Sequence, residues 1–227
     1  VWDLAKDFTV FDIAGNRFID FTSTIFVANV GHSNQAVNKA MIDVISKPLY
    51  SCYAYSNEIR AIYLEKLLKF AGPPFEKAFL LSAGTEATEG VLKLMRMYGQ
   101  KSKKNKRGVI CLEGNWHGRT LGAQLMSGNE SQKEWIGFRD NDIHHIAFPY
   151  PWELVHISSE EFLIKELKKL SDKGISLEND ICGFMLETFQ GWGAIFYPKN
   201  FVKSISNLCK RNNILLAFDE MQAGFGR

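Results

Sequence analysis

The sequence predicts an α/β protein with a mostly parallel sheet and helices on both faces, preceded by an N-terminal β-hairpin and a helical segment. Three observations carry this. From Ala78 onward, short apolar runs alternate with stretches of helical period. The runs are continuous rather than alternating, as in strands buried on both faces. They also end abruptly on carboxylates or glycine-rich turns. The carboxyl ends of parallel strands are where open α/β sheets hold their ligands.

In chain order, Phe8–Ile13 and Arg17–Phe21 read as strands of a hairpin, with Gly15-Asn16 at the turn. Val37, Met41, Val44 and Ile45 have helical spacing, and Pro48 stops that helix. Asn57 is placed to cap a second helix carrying Ile59, Ile62, Leu67 and Leu68, which Gly72-Pro-Pro74 ends. Ala78–Leu81 reads as a strand, Ser82–Thr85 as a tight turn, and Glu86–Tyr98 as a helix with Ala87, Val91, Leu94, Met95 and Tyr98 on one face. Val109–Leu112 is the next strand. Residues 127–158 have no regular period. Glu161–Lys173 is a helix, Ile181–Leu186 a strand ending at Glu187, Asn200–Arg211 a helix, and Ile214–Phe218 a strand ending at Asp219. Parallel strands joined by right-handed crossovers put their carboxyl ends on one edge.

Composition narrows the functions. A hydrophobic content of 46% supports a core, and a mean hydropathy of −0.13 is that of a soluble protein. A net charge of +2 gives no reason to expect a polyanionic partner. Lys101-Ser-Lys-Lys-Asn-Lys-Arg107 reads as a solvated loop, because no aromatic residues interleave with its charges as nucleic-acid binding would need. Cys52, Cys111, Cys182 and Cys209 form no CxxC pair, which favours buried free thiols in a reducing, cytoplasmic setting over disulfides or a metal site. No 18-residue apolar run is present, so neither a membrane span nor a signal peptide is expected. Val1 at the start and a strand-end loop at Arg227 read as a piece of a longer subunit.

Chemistry collects at four turns. Ser82-Ala-Gly-Thr85 opens a helix. Gly84 and Thr85 with the free N–H groups there could cradle a phosphate, although small residues and a threonine also serve simply as a cap. No Gly-Lys-Ser/Thr follows, which argues against a nucleoside triphosphate. Trp116-His117-Gly118 offers an indole that could stack on a flat ring or pack structurally; His117 alone reads as structural. Glu187 ends an apolar strand and needs a cation or solvent. The Gly191-Trp-Gly193 that follows lacks the third glycine of a dinucleotide fingerprint. Asp219, with Gln222 nearby, could pair with a protonated ring nitrogen or, less consistently, with magnesium.

Together, Ser82-Ala-Gly-Thr-Glu-Ala-Thr-Glu89, Trp116-His-Gly118, Glu187-Thr-Phe-Gln-Gly191 and Phe218-Asp-Glu-Met-Gln-Ala-Gly-Phe-Gly-Arg227 resemble class III aminotransferases. These are pyridoxal-phosphate (PLP) enzymes of fold type I, including 4-aminobutyrate and acetylornithine aminotransferases. The resemblance extends to Phe11–Phe21 and Asn29–His32. It implies that Gly84 and Thr85 hold the cofactor phosphate, Trp116 and His117 line the ring, Asp219 binds the ring nitrogen and Gln222 approaches the ring hydroxyl, with Glu187 facing the substrate. Thr188 and Ala83 stand where the family more often has Pro and Ser. The resemblance further implies an amino donor, a 2-oxo acid acceptor, a homodimer, and a Schiff-base lysine beyond Arg227. Residues 1–56 would be part of a small domain and dimer contact, and 57–227 an incomplete cofactor domain. An aminomutase or decarboxylase of the same fold, and a non-catalytic relative, are the alternatives.

Overall fold

The computed structural model describes residues 1–49, 54–102 and 105–226, which form two compact units, Val1–Phe79 and Leu80–Gly226. Among the described residues no helix is long and apolar enough to cross a membrane.

In the first unit, strands β1 (Trp2–Lys6), β2 (Thr9–Asp12) and β3 (Arg17–Ile19) form an antiparallel sheet in the order β1-β2-β3. The β2–β3 hairpin is the one the sequence predicts. Asp12 closes its turn by accepting from the backbone N–H groups of Ala14 and Asn16, both at 2.9 Å. β1 was not foreseen, although Trp2 and Leu4 alternating with Asp3 carry its period-two signal. After β3, Ser23–Phe26 runs through four successive left-handed residues (φ +49° to +67°). Asp20 anchors this turn by accepting from the N–H and hydroxyl of Thr22 and pairing with His32 at 2.8 Å. His32 first, then Thr22 and Thr24, hold the Asp20 carboxyl well below its usual range, against the opposing effect of burial.

Helix α1 (Gln35–Ile45) is capped by Asn34. Helix α2 (Glu58–Ala71) is capped by Asn57, which accepts from Arg60 N–H at 2.9 Å, and ends at Gly72 with φ +68°. Asn57 is the predicted cap, and the helices end before the predicted stops at Pro48 and Gly72; the Asn34 cap was not foreseen. Neither buries a residue within the chain: Met41, Ile42, Ile45 and Ile62 stay exposed. Cys52 lies outside the described residues.

The second unit carries the parallel sheet. Ala78–Leu81 does not join it as a strand; the segment makes no ladder among the described residues and leads directly into α3 (Gly84–Lys101). That helix buries Thr88, Leu92, Met95 and Gly99, one turn position away from the expected face, so Leu94 and Tyr98 point outward. There follow β4 (Gly108–Leu112), the short α4 (Leu121–Met126), a 3₁₀ turn at Glu130–Ile136 and β5 (Ile143–Ile146). Next come α5 (Ser159–Asp172), with a full capping box between Ser158 and Glu161, then β6 (Ile181–Glu187) and a two-strand ribbon of β7 (Phe189–Gln190) and β8 (Ile195–Phe196). α6 (Lys199–Asn212) and β9 (Leu215–Asp219) complete it.

The sheet order is β5-β4-β6-β9, with every pair parallel. β4 and β6 are buried along their whole length. Ile110, Leu112, Phe184 and Leu186 pack on one face with Phe162, Phe201 and Ile205 of α5 and α6. Val109, Cys111, Cys182 and Met185 pack on the other with Leu92, Met95 and Met126 of α3 and α4. The chain leaves β4 toward β5 and leaves β6 toward β9. The boundary between β4 and β6 is therefore a topological switch point, the place where open α/β sheets hold their ligands.

Cys111, Cys182 and Cys209 are free and buried, and burial pushes their thiols up to about 12, 11 and 12. In the described part of the basic tract, Lys106 departs from the solvated loop expected, while Lys101, Asn105 and Arg107 stay exposed. Lys101 ends α3, Lys106 is buried with its Nζ donating to Asn212 O at 2.7 Å, and Arg107 pairs with Asp142 at 3.1 Å. Lys103 and Lys104 lie outside the described residues.

Gly99 is where α3 meets the sheet most closely. A Cβ there would stand 2.0 Å from the Lys106 carbonyl oxygen and 2.6 Å from Cys182 Cβ. Because the obstruction is backbone, Gly99→Ala is expected to cost roughly 3 kcal/mol in urea unfolding. Removing the exposed Lys168–Asp172 pair by Lys168→Ala should cost less than about 0.5 kcal/mol.

Candidate active site

The carboxyl ends of β6 and β9 are in register, so Glu187 and Asp219 stand side by side. Their surroundings treat them differently. Asp219 Oδ2 lies 3.0 Å from His117 Nδ1, and Oδ1 accepts from Met221 N–H at 3.0 Å. A carboxylate can only accept, so His117 carries its proton on Nδ1. The His117 side chain is wholly buried and its Nε2 has no partner among the described residues. Its main chain is pinned on both sides: N–H donates to Ser127 Oγ at 2.9 Å, and C=O accepts from Thr88 Oγ1 at 2.7 Å. His117 is thus fixed in place and orients the Asp219 carboxylate.

Glu187 is 3% exposed and makes no salt bridge among the described residues. It accepts instead from the backbone N–H groups of Trp116 (3.2 Å) and Gly191 (3.3 Å). Burial, reinforced by the neighbouring Asp219 charge, pushes its carboxyl up to about 8. The cation or solvent that the sequence demanded is replaced by a retained proton. Gln222 lies against Gly191, and its Oε1 is buried without a partner among the described residues.

The Gly84–Thr85 turn meets the same edge. The preceding Ala83 is extended and has no side chain to cap the helix, so the first-turn N–H groups of α3 have no side-chain capping acceptor among the described residues. A Cβ on Gly84 would come within 2.6 Å of Met221 Cε, which places the turn against the loop after Asp219. Gly118, at φ +130°, presses the Trp116–Gly118 loop onto Thr85; a Cβ there would sit 2.3 Å from Thr85 Oγ1. Trp116 is half-buried, its ring nearly parallel (11°) to that of Trp192 at 6.4 Å between centroids, with Arg119 Cζ 5.2 Å from its centre. Trp192 is 71% exposed.

The structure therefore brings Gly84, Thr85, Trp116, His117, Glu187, Asp219 and Gln222 to one edge. Sequence reasoning missed Glu89, Thr120 and Ser127, which position the loop after β4. Glu89 sits one helical turn from Thr85, a spacing that could have flagged it; Ser127 carries no such signal. Among the described residues no cluster of His, Cys, Asp and Glu could hold a metal ion. An uncapped helix start, a carboxylate held by a buried imidazole, and two unpartnered buried polar atoms fit a flat, heteroaromatic phosphate ester.

The model of the family described as aminotransferase class-III matches residues 2–227. The mitochondrial acetylornithine aminotransferase of Candida glabrata is 31% identical over 222 residues, which are 95% of this chain and 48% of that one. The isoleucine 2-epimerase of Lentilactobacillus buchneri is 29% identical, over 100% of this chain and 51% of that one. The taurine:2-oxoglutarate aminotransferase of Bifidobacterium kashiwanohense, solved in complex with PLP and glutamate, shares the fold at TM-score 0.88 and 22% identity, over 99% of this chain and 51% of that one. The chain spans about half the length of the curated relatives it matches. It belongs to the class-III aminotransferase family.

Proposed function

We propose that the full-length protein is a PLP-dependent aminotransferase, moving an amino group from an amino acid or ω-amine to a 2-oxo acid. The observation that carries this is the buried His117–Asp219 pair at the carboxyl edge of the sheet, beside the uncapped Gly84–Thr85 turn. Gly84 and Thr85 would hold the phosphate, Trp116 would lie against the ring, Asp219 would take the protonated ring nitrogen and Gln222 the ring hydroxyl. When bound, PLP supplies an electron-withdrawing ring that stabilises charge on the substrate carbon. His117 orients Asp219 by donating from Nδ1. Glu187, at the neighbouring strand end, would face the substrate and give up its proton when a cation approaches.

We further propose that residues 1–56 contribute to a small domain and a dimer contact, and that 57–227 belong to the cofactor domain. The exposed apolar side chains of α1 support a homodimer. Three buried free thiols support a reducing, cytoplasmic setting. A lysine to move the substrate proton is not in the turns holding Gly84, Trp116, Glu187 and Asp219, and we place it elsewhere in the full-length protein.

The test is amino transfer by the full-length protein across a panel of donors with a 2-oxo acid acceptor, with bound PLP measured by mass. Epimerisation or amine migration without an acceptor would overturn the proposal. Asp219→Asn keeps the shape and loses the charge. It should retain most of the cofactor and lose roughly ten- to a hundred-fold in rate. Unchanged transfer in that variant would remove Asp219 from its role.

Glu187 makes a separate prediction about pH. Its carboxyl ordinarily titrates at 4.5 and is raised to about 8 in the folded chain. Between those values only the unfolded state has released the proton, so the folded state loses stability as pH rises, by at most about 1.4 kcal/mol per pH unit. Glu187→Gln should flatten that slope in urea titrations at pH 5, 6, 7 and 8, with the parent and variant differing most at the alkaline end.

A further inference from the structure

Glu89 is not among the groups assigned to the cofactor, yet one of its oxygens collects three hydrogen bonds. Oε1 accepts from Thr120 Oγ1 at 2.7 Å, Gly122 N–H at 2.8 Å and Ala123 N–H at 3.1 Å. Thr120 is joined in turn to Thr85: the two hydroxyl oxygens are 2.8 Å apart, and Thr120 N–H donates to Thr85 Oγ1 at 3.3 Å. Proton counting fixes the direction of this chain. Thr120 Oγ1 donates to Glu89 Oε1 and so spends its single hydroxyl proton there. Thr85 must then donate to Thr120. The Thr85 hydroxyl proton is thereby committed to the loop after β4, which leaves the backbone N–H groups as the turn's donors for an anion.

Thr85, Thr88 and Glu89 lie on one face of α3, at spacings of three and four. All three bond to that loop or to the start of α4, and Thr88 holds the carbonyl of His117, the residue that orients Asp219. Glu89 is therefore at the outer end of a stitch that sets where the loop stands relative to the first turn of α3.

We propose that Glu89 is a positioning residue that gives the Gly84–Thr85 turn its selectivity for a phosphate monoester, acting through Thr120 and Thr85. The inference rests on the reading of that turn as the phosphate site. It predicts an effect confined to ligands that carry the phosphate.

The experiment compares binding of PLP and of pyridoxal, which lacks the phosphate, to the full-length protein by calorimetry, with circular dichroism as a fold control. Glu89→Ala should lower PLP affinity roughly tenfold and leave pyridoxal affinity unchanged, so that the ratio of the two falls by about that factor. Glu89→Gln, which keeps an acceptor oxygen for Thr120, Gly122 and Ala123, should keep the ratio within about threefold of the parent. Thr120→Val breaks the same chain without touching Glu89 and should match Glu89→Ala; it carries the test if Glu89→Ala does not fold. A ratio unchanged in both disrupting variants, or equal losses for the two ligands, overturns the positioning role. A parent protein that binds PLP no better than pyridoxal instead overturns the phosphate-site reading itself.

Discussion

Two carboxylates at neighbouring, in-register strand ends are the constraint on which this site depends. Glu187 and Asp219 are held side by side by the β6–β9 ladder, both largely out of water. Two buried like charges at that spacing are unfavourable, so the fold resolves them unequally. Asp219 receives a proton donor, the Nδ1 of His117, and Glu187 keeps its own proton. Everything around them follows from the need to deliver His117 to that place.

Delivery is the task of the loop between β4 and α4. His117 comes from a strand end two strands away in the sheet, so the loop has to reach across the end of β6. It is held from both sides. Thr88 and Ser127 bond the main chain of His117, Trp116 N–H bonds Glu187, and Glu89 and Thr85 fix Thr120. Gly118 makes the closest approach possible, since any side chain there would strike Thr85. The loop that supplies Trp116 and His117 is thereby the same body that shapes the Gly84–Thr85 turn. This links the two ends of one flat ligand to a single rigid element.

The errors in the sequence reading share a cause. Ala78–Leu81 has the composition of a strand, but a strand exists only with a ladder partner, and the described residues offer none. β5 went unseen because an edge strand carrying His144 and His145 has little apolar period to read. The buried face of α3 was misplaced because Thr88 and Gly99 count as core there. Thr88 is buried for its bonds to Thr85 O and His117 O, and Gly99 for lack of room. Lys106 looked like part of a solvated tract, yet it is buried because the Asn212 carbonyl at the end of α6 is there to receive its ammonium.

The sequence by itself determined the parallel sheet, the Asn57 cap of α2, and the identity of the side chains at the strand ends. Each of these depends on residues close together in the chain: an unbroken apolar run, an Asn before a helix, a carboxylate where the run stops. Only the tertiary structure decided which of those side chains meet. His117 and Asp219 are 102 residues apart, Thr85 and Thr120 are 35, and Glu89 and Thr120 are 31. Their contacts depend on strand register and on the path of one loop, neither of which has a local period. The proton on Glu187 depends in the same way on what surrounds it: burial and a neighbouring charge, with no cation beside it among the described residues.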